Sequence, residues 1–310
     1  MEIVTQPPAA TLSAAWVDQA RAHPWTALGL VLASLAMLLL LVSSTWQVLT
    51  GAAEAPLRLA LLGGSAAFGA TALGALPGVA LRGIDQRLED SMLGLAAGMM
   101  LAASSFSLIL PGLESGAALT GNGALGAATV VAGMALGVLL MLGLDQFTPH
   151  EHTHGGPCGA GNERVGRLWL FVFAIALHNL PEGMAIGVSF SQGDLSVGLP
   201  LTTAIALQDI PEGLAVAMAL RAIGLSPWRA VLIAAATGLM EPLGALLGVG
   251  LSSGLVLAYP IGLGLAAGAM IFVVSHEVIP ETHRNGHQTP ATLGLMAGFA
   301  LMMVLDTTLG

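Results

Sequence analysis

Two apolar stretches of this chain carry nearly the same polar run thirty residues apart, His-Asn-Leu-Pro-Glu-Gly at 178–183 and Gln-Asp-Ile-Pro-Glu-Gly at 208–213. Imidazole, amide and carboxylate are the donor types that hold borderline divalent ions. Each run lies at the midpoint of a segment long enough to cross a bilayer, where an ionised carboxylate costs about 2.5 to 3.5 kcal/mol on insertion scales. Something bound there must offset that cost, and a dication is the simplest candidate.

Helical geometry sharpens this reading. Positions i and i+1 point about 100° apart, and i+4 falls between them, about 40° from i and about 60° from i+1. Glu182 therefore lies between His178 and Asn179, and Glu212 between Gln208 and Asp209. A carboxylate so placed can serve one ion with residue i and a second with residue i+1. Two such helices face to face would form a binuclear site with bridging glutamates. Pro181 and Pro211 each remove a backbone N–H and disturb the carbonyl four residues back. Irregular backbone at membrane depth is tolerated where it lines a cavity or is buried in protein.

The elements that must position these residues are membrane helices. The 310 residues are 55% hydrophobic and only 9% charged, with a mean hydropathy of +0.83, which excludes an ordinary soluble domain. Apolar runs at 25–50, 57–80, 92–112, 123–145, 166–191, 195–221, 229–251, 256–280 and 290–309 predict an all-α polytopic bundle of nine spans. A cytoplasmic leader over 1–24 precedes a first helix at 25–50. This helix is read as uncleaved, because a long leader containing Asp18 precedes it. Residues 57–309 then form an eight-helix core. All nine basic residues are arginines. Arg21, Arg82, Arg87, Arg164, Arg167, Arg221, Arg229 and Arg284 fall on one side and only Arg58 on the other. This bias predicts a cytoplasmic N-terminus and an external C-terminus. Ala and Gly richness without lysine points to a bacterial chain, hence the cytoplasmic (inner) membrane. The net charge of −9 bears on neither fold nor nucleic acid, the acids gathered in spans and mouths suit cationic cargo, and no nucleic-acid partner is expected. With Cys158 the single cysteine, neither an intrachain disulfide nor a thiolate cage can form.

Other polar residues extend the path. Glu241, followed by Pro242, stands at the centre of the seventh span, at the depth of the paired runs. His276 and Glu277 lie near the cytoplasmic end of the eighth span, and Asp145 near that of the fourth. Glu114 and Asp306 are acids near the outer ends. The loop at 146–165 carries His150, His152 and His154, a composition that binds metal transiently. Met99 and Met100 sit mid-span in the third helix, and the residues alone do not decide whether either thioether is a ligand.

Taken together, the His-bearing loop, His-Asn-Leu-Pro-Glu-Gly, the second Pro-Glu-Gly, the mid-span Glu-Pro and Ser-His-Glu at 275–277 resemble the ZIP (Zrt-/Irt-like) divalent metal transporters over about 250 residues. The resemblance implies a first metal position formed by Met100, His178, Glu182, Gln208 and Glu212, and a second by Asn179, Glu182, Asp209, Glu212 and Glu241. It selects Met100 over Met99. Gln208 departs from the family pattern, in which many members place histidine. The resemblance also implies a bundle that moves as two blocks. The first helix lies outside the core common to most members.

The expected function is therefore carriage of zinc-like ions, zinc and cadmium, into the cytoplasm by alternating access. A metal-selective pore with the same ligands is the alternative. An intramembrane metalloprotease is disfavoured, because Pro280 stands where His-Glu-x-x-His needs its second histidine. A ferritin-like di-iron site would need Glu-x-x-His on two helices. No catalytic residue and no organic cofactor are expected. The partners are the divalent ion and the lipid bilayer, and the reading also admits a homodimer.

Overall fold

A computed structural model of the chain describes residues 12–51, 54–81, 83–147, 150–152, 156–158, 167–222, 224–252, 257–283 and 285–309. Among these the architecture is an all-α bundle. Short α1 (Leu12–Ala22) leads into α2 (Pro24–Leu49), then α3 (Ala55–Ala75), which ends in a 3₁₀ turn (Leu76–Val79). The third span is α4 (Gln86–Ala103), a π turn (Ser104–Ile109) and α5 (Leu110–Thr120) in line, and the fourth is α6 (Gly123–Phe147). Next come α7 (Arg167–Phe190), α8 (Leu195–Ala222), the broken span of α9 (Pro227–Thr237) and α10 (Met240–Leu251), and then α11 (Ala258–Val273). A second π turn (Val274–Val278), α12 (Ile279–Thr282) and α13 (Gln288–Leu309) complete the chain.

Eight of these helical spans are long and apolar enough to cross a membrane. The remaining one, α7, has 24 residues, about 36 Å at the helical rise and enough to span the hydrocarbon core. This is a multi-pass membrane protein. The third span, expected over 92–112, is a 35-residue helix from Gln86 to Thr120. Hydropathy marks only the apolar portion, and the helix runs beyond it at both ends. The expected leader contains α1. Between α6 and α7 the loop forms a short antiparallel ladder, β1 (His150–His152) with β2 (Gly156–Cys158), pairing His150 with Cys158.

Both π turns have a readable cause. Each ends two residues before a proline, Pro111 or Pro280. Proline cannot donate to the carbonyl four residues back and clashes with it, and a widened turn relieves both. In the first turn, Ser104 and Ser105 also donate their hydroxyls to the carbonyls of Met100 and Leu101, at 2.8 and 2.9 Å.

Glycine decides which helices touch. A Cβ on Gly183 or Gly187 of α7 would strike the α10 backbone, and one on Gly74 would strike that of α8. On the other side, Gly94 and Gly98 of α4 fit against α13, and Gly133 and Gly137 of α6 against α11. Small residues let membrane helices approach this closely, and such contacts supply the dispersion that holds them together. The result is two groups, α3, α7, α8 and α9–α10 against α4–α6 and α11–α13. Where a described glycine admits a neighbour's backbone, both belong to one group. A Cβ on Gly262 of α11 would meet the Val188 side chain of α7 at 3.4 and 3.5 Å and the Ser252 hydroxyl at 2.6 Å. Peripheral α2 leans on α10, where Ser44 donates to the Leu246 carbonyl at 3.3 Å.

Candidate metal centre

The helix α7 runs unbroken through Pro181 and carries His178, Asn179 and Glu182; α8 runs through Pro200 and Pro211 and carries Gln208, Asp209 and Glu212. Glu241 comes from the first turn of α10, just past the break at 238–239. All seven are buried. His178 Nε2 lies 4.0 Å from Glu182 Oε1 and 3.8 Å from Glu212 Oε2. Gln208 donates its amide to Glu182 Oε1, and Thr71 of α3 donates its hydroxyl to Glu241 Oε1 at 2.6 Å.

Two groups of donors have one ligand atom per residue all within 4.8 Å of one another: His178, Glu182 and Glu212, and Glu182, Asp209 and Glu241. Two nitrogen or oxygen atoms bound to a single zinc can be at most about 4.4 Å apart, twice the longest usual contact for those donors. The histidine–glutamate distances fall inside that limit. Glu182 is common to both groups.

The hydrogen-bond ledger singles out the same place. Among the described residues, ten buried side-chain nitrogen and oxygen atoms lack a partner, and six are His178 Nε2, Asn179 Oδ1, Glu182 Oε2, Gln208 Oε1, Asp209 Oδ2 and Glu241 Oε2. Each orphan costs about 1 to 3 kcal/mol, and native interiors keep them few. All six belong to α7, α8 and α10 and are of the donor types that suit a borderline divalent ion.

The other expected residues are distributed around this centre. Met100 is buried at the end of α4, and so is Met99, so burial does not distinguish them. His276 and Glu277 lie on the second π turn, where His276 stacks on Phe272 and its Nε2 is 4.0 Å from Asp145 Oδ1 at the end of α6. The structure thus joins two of the separately expected path residues. Glu114 is exposed on α5, whereas Asp306 accepts a 2.6 Å hydrogen bond from Ser107. His150 and His152 form the outer residues of β1, and His154 lies outside the described residues.

Two polar residues were missed. Thr71 sits in an Ala- and Gly-rich run with no helical partner pattern, so its sequence gave no signal. Buried Asp90 accepts from Gln86 at 3.2 Å, Asn285 at 3.1 Å and His287 at 2.8 Å, fastening the start of α4 to the turn before α13. An acid in the first polar turns of a span reads as solvent-facing until the partner loop is in place.

Comparison with known proteins bears on the whole bundle. A family model described as ZIP Zinc transporter matches residues 145–306. The Zinc transporter ZIPB of Bordetella bronchiseptica is 65% identical over 302 residues, covering 97% of this chain and 98% of that protein. The chain belongs to the ZIP family. The Zinc transporter GufA of Myxococcus xanthus is 44% identical over 78% of this chain and 95% of its own length, and the human Zinc transporter ZIP11 is 29% identical over 81% and 97%. The segment matching the ZIP model contains every donor on α7, α8 and α10, together with Asp145, His276, Glu277 and Asp306, while Met100 and Glu114 precede it.

Proposed function

We propose that this chain carries zinc, and with it the chemically similar cadmium, across the cytoplasmic membrane into the cell. The carrying observation is the convergence of six partnerless buried donors from α7, α8 and α10. The curated relatives named as zinc transporters support the choice of ion. The donor set of imidazole, amide and carboxylate without thiolate also fits an ion that must be released again.

In this reading the first position uses Met100, His178, Glu182, Gln208 and Glu212, and the second uses Asn179, Glu182, Asp209, Glu212 and Glu241. Glu182 and Glu212 bridge them. Glu114 and Asp306 serve the outer mouth. Asp145, His276 and Glu277 receive the ion at the cytoplasmic end and pass it to the histidine loop. The arginine bias sets this orientation, with the N-terminus inside.

Alternating access is supported by the two helix groups. Close backbone contacts bind α3, α7, α8 and α10 to one another, while α7 meets α11 through side chains. Side-chain contacts can exchange when one rigid group slides on another, and seven of the eight proposed ligands ride on one group. Only Met100 comes from the other. Purified protein in liposomes loaded with a zinc indicator tests the proposal directly. Saturable, metal-dependent uptake is expected, and no uptake under any zinc gradient would overturn it.

A further inference from the structure

Thr71 stands apart from the metal-binding runs, yet the fold goes to some length to place it. The two Pro-Glu-Gly repeats end in Gly183 and Gly213. A Cβ on Gly183 would collide with the Glu241 backbone, and one on Gly213 would collide with the Thr71 backbone carbonyl. Each repeat thus supplies a glutamate and then, one residue later, the gap through which a neighbouring helix approaches. Gly183 admits α10 at Glu241, and Gly213 admits α3 at Thr71. Gly238, at the break before α10, also fits closely against the Thr71 Cβ and Cγ2. The residues so placed meet in the buried 2.6 Å hydrogen bond from Thr71 Oγ1 to Glu241 Oε1.

A hydroxyl has one proton. The Ala67 carbonyl is a second acceptor for Thr71 at 3.3 Å, well beyond the 2.6 Å to the carboxylate, so the proton points to Glu241. With Oε1 engaged, Oε2 is the Glu241 atom left without a partner. One carboxylate oxygen of Glu241 lies within 4.8 Å of ligand atoms of Glu182 and Asp209.

We propose that Thr71 is a positioning residue of the metal centre. Its hydroxyl holds Glu241 as a one-oxygen ligand, and this favours a small ion with short contacts over a larger one that takes both carboxylate oxygens. The proposal rests on the reading of Glu241 as a ligand. Zinc accepts few ligands at short distance, whereas a larger ion such as calcium has room to take a carboxylate in two-oxygen fashion. Cadmium, the larger of the two proposed cargoes, should gain from a freed Oε1.

Zinc and cadmium uptake into liposomes, with thermal unfolding of the same preparations, tests this in Thr71→Val and Thr71→Ser. Valine keeps the shape and removes the hydroxyl. It should raise the zinc KM roughly tenfold, the scale of one hydrogen bond to a charged group, and raise the cadmium KM less. Serine should restore most of the zinc affinity. Thr71→Ala makes the same comparison if valine lowers the unfolding temperature. In a Glu241→Ala background, Thr71→Val should have no further effect on KM. A wild-type zinc KM in Thr71→Val, an equal loss in Thr71→Ser, or equal shifts for both metals would each overturn the proposal. If Glu241→Ala itself transports normally, the ligand assignment of Glu241 fails instead.

Discussion

Gln208 on α8 donates its side-chain amide to Glu182 Oε1 on α7, joining the two Pro-Glu-Gly helices across their polar faces. The bond occupies one oxygen of the shared carboxylate and leaves Oε2 without a partner. In the proposed site Gln208 would act in two ways, through its own partnerless Oε1 and by steering Glu182.

The charge on Glu182 should matter far more than the amide that steers it. Glu182→Gln keeps the volume and removes the anion that both donor groups share. Uptake should fall roughly a hundredfold in that variant and roughly tenfold in Gln208→Ala, the two ends of the range seen when groups supporting a metal site are lost. Expression and thermal unfolding measured alongside separate electrostatics from packing. A crippled Gln208→Ala beside a near-normal Glu182→Gln would reverse the assignment of the bridge.

The two positions should empty separately. Asp209 belongs to the group with Glu241, and His178 to the group with Glu212. Anomalous-scattering maps of Asp209→Ala should lose the second ion and keep the first, and maps of His178→Ala should show the opposite. Equal loss of both ions in Asp209→Ala would contradict the two-face geometry.

Acid should compete with metal. Bound ions require ionised carboxylates and a neutral His178, so binding releases protons and affinity falls as pH is lowered. Calorimetric titration of zinc between about pH 8 and pH 5, the interval in which an unperturbed histidine changes charge, should show weakening affinity and buffer-dependent proton release. An affinity that is flat over that interval would count against the ligand set.

Gly183→Ala tests how α10 is seated. The new methyl would press on the Glu241 backbone, at a cost of about 1 to 3 kcal/mol for overpacking. The unfolding temperature in detergent should drop and uptake should fall with it, because Glu241 moves with α10. Unchanged stability and uptake would show that the close approach is dispensable.

The proposed sliding between the helix groups can be tested with a crosslink. In a Cys158→Ser background, cysteines at Val188 and Gly262 join α7 to α11 across the boundary, where the structure shows side-chain contact. Oxidation should stop uptake and reduction should restore it. Cysteines at Gly112 and Val130, in contact within one group, should leave uptake intact when oxidised. Transport that continues through an oxidised 188–262 bridge would rule out sliding at this boundary.

Much of this protein is written in local spacing. Membrane spans follow from runs of apolar residues, and the directions of His178, Asn179 and Glu182 follow from the helical period, because both depend on neighbours along the chain. The structure bears out the bundle and brings His178, Glu182, Asp209, Glu212 and Glu241 into two groups. It also joins His276 to Asp145. The π turns before Pro111 and Pro280 could have been anticipated from the same local chemistry. What depends on neighbours in space stayed hidden. Which helices are locked together is decided where a glycine meets another helix's backbone, and no periodicity within one span reveals its partner. Thr71 acquires a role only once Gly213 has drawn α3 against α8 and Gly183 has drawn α10 against α7. Asp90 becomes a buried anchor only when the turn before α13 closes over it. A hydrogen bond between residues 170 positions apart in the chain, such as that from Thr71 to Glu241, leaves no trace in either local sequence, since its geometry is set by the packing of helices that the chain order does not make adjacent.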